Sequence, residues 1–213
     1  MTNNILARFG LKTLPQTFSI IFHPLLMPTY GALVLLFNSG LYISFMTDSS
    51  KNVLLSVIIS STFVLPLVSL PILYFRRLNQ MFSDARQDRI LPLVITSLFY
   101  YLGYYLMNLM GVPTILRVFI LASFAAVCVT LLITFFWKIS AHMIGTGGLC
   151  GLVFIIMWLY HVDLLFYLII TILISGVAAY SRLSLQAHTP KQIYTGWVIG
   201  FIVVSAIMLV SLS

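Results

Sequence analysis

The chain alternates long apolar runs with short polar connections. Charge-free stretches cover roughly 17–38, 53–75, 90–111, 118–137, 143–160, 164–180 and 192–212. Each is long enough, or nearly so, to cross the hydrocarbon core of a bilayer as a helix, which takes about 20 residues. A closed barrel would need short alternating strands instead. The pattern predicts an all-α, polytopic helical membrane protein with about six to seven transmembrane helices in one bundle. His23, Pro24 and Pro28 predict a kinked or partly re-entrant first span. Residues 39–52 read as a loop carrying Asp48 and Lys51. Pro66 and Pro71 fall inside the second span, where neighbouring helices tolerate them.

Composition agrees with that class. Hydrophobic residues make up 61% of the 213 and charged ones 7%, with a mean hydropathy of +1.10, well outside soluble-domain norms. No stretch is left for a separate soluble domain, so residues 1–213 read as a single transmembrane domain. Arg8 and Lys12 precede the first apolar run as in a secretory signal. That run is long for a signal core and lacks a small-x-small cleavage site, so it is expected to be retained. Cys128 and Cys150 both lie within apolar spans and read as small buried hydrophobes. The tyrosines between Tyr100 and Tyr105 read as packing and interfacial anchors.

The net charge of +7 does not signal nucleic acid, because the basic residues gather at the ends of apolar runs. Span parity puts the connections 76–89, 138–142 and 181–191 on one face. With Arg8 and Lys12, nine basic residues share that face, among them Arg76, Arg77, Arg86, Arg89, Lys138, Arg182 and Lys191. Lys51 and Arg117 alone lie opposite. The positive-inside rule makes the crowded face cytoplasmic, and the expected location is a bacterial inner membrane. Gly147/Gly151 and Gly196/Gly200 are Gly-xxx-Gly spacings, which let helices approach closely in lipid. They predict that the fifth and seventh spans pack tightly and bring His142 and His188 into one pocket.

That pocket suits an anion. Up to four cations (Arg86, Arg89, Lys138 and Arg182) share the face with two histidines and two helix starts. Arginine donates paired hydrogen bonds to tetrahedral oxyanions, and helix starts add free amides. An anionic group with an apolar body at a membrane surface is a phospholipid or prenyl phosphate. The bilayer and a lipid phosphate are thus the expected partners.

Ser181-Arg182, five residues, then His188 resembles the third signature of the type-2 phosphatidic acid phosphatase superfamily. Ser140-Ala141-His142 resembles its Pro-Ser-Gly-His signature, with Ile139 for proline and Ala141 for glycine. Arg89 before Ile90-Leu91-Pro92 partly meets the first, Lys-x6-Arg-Pro, with Phe82 where lysine stands. The resemblance covers about 84–213 and leaves two additional N-terminal spans. It implies a lipid phosphatase needing no cofactor or metal, with His188 attacking phosphorus and His142 serving as acid and then base. Arg182 and Arg89, with the Ser140 backbone, would hold the equatorial oxygens, and Ser181 would help place the phosphate. Bacterial lipid phosphatases of that family commonly face outward. The family has an aspartate four residues after the nucleophile; here it is Gln192, which also completes a capping box from Thr189. If a carboxylate orients His188, Asp84 and Asp88 are the acids on the correct face. Two other readings remain open. One is a non-catalytic phospholipid-binding or transport protein; the other is a Mg-dependent prenyltransferase using Asp84 and Asp88.

Overall fold

A computed structural model describes residues 14–38, 40–74 and 89–213 of the chain. Among these residues there are helices and no strand. Seven helical segments are long and apolar enough to cross a membrane, so the chain is a multi-pass helical membrane protein.

The first segment is broken where the sequence predicts. Helix α1 (Leu14–Ile21) ends at a 3₁₀ turn (Pro24–Leu26), and α2 (Met27–Phe37) follows. Pro24 has no N–H for an α-helical bond, and the His23 ring supplies a substitute cap by accepting from Leu25 N–H at 3.3 Å. Residues 39–52 are not all loop. A 3₁₀ turn (Tyr42–Phe45) leads into α3 (Asp48–Ile59), which starts at the Thr47 cap. Lys51 therefore sits on a helix, 3.8 Å from Asp48 and over the Phe37 ring at 5.3 Å. A π-helical turn (Ser60–Val64) then joins α3 to α4 (Leu65–Tyr74). It lies directly before Pro66, and its wider winding accommodates a residue that cannot continue the α pattern.

The remaining spans are α5 (Ile90–Leu109), α6 (Thr114–Phe136), α7 (Ala141–Tyr160), α8 (Leu165–Ser184) and α9 (Pro190–Leu212). Helix α7 is the centre of the bundle, buried without interruption from Thr146 to Val153, as expected of a helix apolar all round. Its most extensive partner is α9, and glycine is the reason. A Cβ at Gly147 would stand 2.1 Å from the Trp197 carbonyl oxygen, and one at Gly200 would stand 2.1 Å from that of Ile144. No other residue permits that backbone approach. The tight pairing expected of the fifth and seventh spans is what the structure has. Outward side chains such as Phe166, Trp158 and Val210 are largely exposed and face the surrounding lipid. Cys128 and Cys150 are free thiols within α6 and α7.

Candidate functional site

The site forms at the bundle end where α5, α7 and α9 begin and α8 finishes. Helix α7 starts at Ser140, which is fully buried. Its carbonyl accepts from Met143 and Ile144, both at 3.1 Å, which puts His142 in the first turn. Helix α9 starts at Thr189 with Pro190 in its first turn, leaving His188 just before it, 9% exposed. Arg182 is in the last turn of α8.

The hydrogen bonds at His188 determine its tautomer. Thr189 N–H, which can only donate, points at Gln192 Oε1 at 3.1 Å, so that atom is the amide oxygen. His188 Nδ1 lies 3.2 Å from the same oxygen and must carry the proton. Nε2 is left with its lone pair. Gln192 thus both caps the helix and contacts the histidine. Burial, then the positive charge of Arg89, with Lys138 and Arg182 adding to it, holds the His188 imidazole down to about 4 against the opposing Gln192 hydrogen bond. Those three cations and His188 therefore share one neighbourhood. His142 is within electrostatic reach of Arg182, His23 and His188.

His142 is held by a group that sequence reasoning missed. Its Nε2 lies 3.2 Å from both the hydroxyl and the carbonyl oxygen of Ser19. A carbonyl accepts only, so Nε2 is the N–H, and Nδ1 has no hydrogen bond with any described residue. The Ser19 carbonyl is available because the chain breaks just beyond it. His23 N–H turns to Ile20 C=O, leaving an orphan acceptor at the end of α1. Arg182 donates to the Ser19 hydroxyl, and Ser181 donates to the Pro15 carbonyl. Ser181 is therefore turned toward α1. The His23 ring packs edge-on to His142 with centroids 5.5 Å apart, so it belongs to the site. The only sequence signal for Ser19 was its nearness to the predicted kink.

Two buried polar atoms in this cluster have no hydrogen-bond partner among the described residues: Arg182 Nε and Ser140 Oγ. Buried donors are normally satisfied, and an anionic oxygen reaching either one would satisfy it. Of the predicted residues, the structure gathers His142, His188, Arg182, Arg89, Lys138, Ser140 and Gln192 at this end. Arg86, Asp84 and Asp88 lie outside the described residues.

No protein-family model matches the chain, and neither a curated protein nor a solved structure matches it.

Proposed function

We propose that this protein is a metal-independent lipid phosphatase that hydrolyses a phosphomonoester or diphosphate headgroup through a phosphohistidine. The observation that supports this best is the pair of unmet buried donors, Arg182 Nε and Ser140 Oγ, beside two histidines of opposite tautomer. In the first step the His188 Nε2 lone pair attacks phosphorus. His142 enters this step as the imidazolium, with a proton on Nδ1 that the bound anionic headgroup stabilises; the bond from phosphorus to the lipid oxygen breaks, and that oxygen takes this proton. In the second step water attacks the phosphohistidine and gives its proton to His142. The P–N bond breaks, its electron pair returns to His188, and phosphate leaves. Arg182, Arg89 and Lys138 stabilise the negative charge of the transferring group throughout. The excess of basic residues favours a cytoplasmic site.

The test is phosphate release by purified protein from phosphatidate, phosphatidylglycerophosphate and farnesyl diphosphate, with and without EDTA. Release unchanged by EDTA, with an acid-labile phosphoprotein trapped after a rapid quench, is the expected result. Turnover abolished by EDTA would sink the proposal and favour the Mg-dependent prenyltransferase reading. One observation favours a second reading. An amide at Gln192 cannot take up the positive charge that a carboxylate would, as expected of a protein that binds or moves lipid phosphates without cleaving them. Lipid phosphate binding with no phosphate release would establish that reading.

A pH dependence follows from His188. Only the neutral ring is nucleophilic, so activity is expected to rise with pH through a value near 4. Removing the Arg89 charge makes the ring easier to protonate. In Arg89→Gln the ascending limb should therefore move up toward the ordinary histidine value of about 6.5, whatever happens to the plateau. An unmoved limb in the rate profile, or an unmoved titration of the His188 ring signal, would contradict the assigned environment.

A further inference from the structure

A cavity of about 230 Å³ lies beside His23 and extends into the bundle. Its walls come from the turn at His23–Leu25 and the start of α2, the first half of α5, α6 from Phe119 to Thr130, the first half of α7, and Val204 of α9. Along α5 it runs from Pro92 to Tyr100, about 12 Å at 1.5 Å per residue. It therefore descends from the site toward the middle of the membrane. His23 is on its wall at the site end, and the same ring touches His142. The cavity and the anion site thus adjoin at the His23 ring.

The lining is apolar in effect. The Ser123 and Thr130 hydroxyls donate to carbonyls of their own helix, Phe119 at 2.9 Å and Ala126 at 2.6 Å, and turn hydrocarbon to the cavity. Tyr100 lines the deep end of the cavity and is 2% exposed. The volume exceeds the ~150 Å³ of an apolar cavity that admits benzene. It accommodates a chain segment several carbons long, and two chains side by side do not fit.

We propose that this cavity is a chain subsite, taking the head-proximal part of one acyl or prenyl chain of a lipid phosphate whose anionic head lies among Arg182, Arg89 and the histidines. The inference rests on the phosphatase reading for the identity of the head, and it adds that recognition extends some 12 Å below the phosphate. Each buried methylene favours the bound chain by about fourfold, so chain length should strongly affect kcat/KM for substrates presented from solution.

The experiment fills the cavity. Ser123→Leu and Val127→Phe both add volume from α6. Ser123→Leu strands no partner, because the Phe119 carbonyl keeps its helical N–H. Wild type and variants in detergent are assayed with dodecyl phosphate, farnesyl phosphate and the short, soluble p-nitrophenyl phosphate. The expected result is a loss of at least tenfold in kcat/KM on the two long substrates, with p-nitrophenyl phosphate hydrolysis within twofold of wild type. The wild-type preference between the long substrates then identifies the chain as saturated or isoprenoid. Unchanged long-chain activity in both folded variants would overturn the subsite. If wild type hydrolyses nothing, thermal-shift binding of dodecyl phosphate and inorganic phosphate replaces turnover. Loss of the first with retention of the second supports the subsite without catalysis, and equal binding of both in wild type and variants refutes it.

Discussion

Replacing His188 by alanine is expected to lower phosphate release by roughly 10⁴-fold or more, because it removes the nucleophile of the proposed reaction and not an accessory group. The fold should survive. His188 precedes the first turn of α9, and the capping contacts belong to its neighbours Thr189 and Gln192. Lipid phosphate binding should change far less than turnover, since Arg182, Arg89 and Lys138 remain. The companion variant Gln192→Glu tests the same chemistry in the opposite direction. Glutamate keeps the capping-box geometry and places a carboxylate against Nδ1–H. It would stabilise the charge that the ring acquires when Nε2 bonds to phosphorus, and turnover should rise by about an order of magnitude. A His188→Ala protein that still turns over at the wild-type rate would eliminate the phosphohistidine. A Gln192→Glu protein no faster than wild type would show that the ring's charge is met elsewhere.

The seven spans could be read from the sequence because membrane insertion depends on little beyond length and hydropathy, and the chain is uniform in both. The pairing of α7 with α9 was also legible. In lipid, small residues at four-residue spacing are among the few signals that specify which helices meet, and Gly147 and Gly200 carry that signal. What escaped was anything produced by a backbone break. Ser19 is an unremarkable residue in an apolar run. Its carbonyl becomes a ligand to His142 only because the chain leaves its helix at His23, and its hydroxyl beside it takes the Arg182 donor. Tyr100 escaped for a related reason. Tyr101, Tyr104 and Tyr105 surround it in the sequence, and which of the four faces inward depends on the rotation of α5 about its axis. Tyr101 and Tyr105 are about half exposed, and Tyr101 packs on Phe124, whereas Tyr100 is buried. Hydropathy carries no information about that rotation when every face is apolar.

The site's precision depends on the same helix pair, and Gly200→Ala is the substitution that tests it. A methyl group there would meet the Ile144 carbonyl carbon at 2.8 Å as well as its oxygen at 2.1 Å. Backbone cannot rotate out of the way as a side-chain end can, so α7 and α9 must separate or slide. Overpacking of this kind costs about 1–3 kcal/mol, a thermal shift that should be measurable in detergent. The functional loss should be larger. Ile144 is two residues beyond His142, and α9 carries Gln192, which orients His188. The displacement is therefore delivered directly to the geometry between the two imidazoles. A misplacement of about 1 Å at reacting groups can cost on the order of 10²-fold in rate, and a loss of that size is expected. Val198→Leu, on the half-exposed lipid face of the same helix, should leave both melting and turnover near wild type. If Gly200→Ala were as active as Val198→Leu, the close contact between α7 and α9 would not be what sets the distance between nucleophile and acid, and Ser19 with Gln192 would have to hold the two rings in place by themselves.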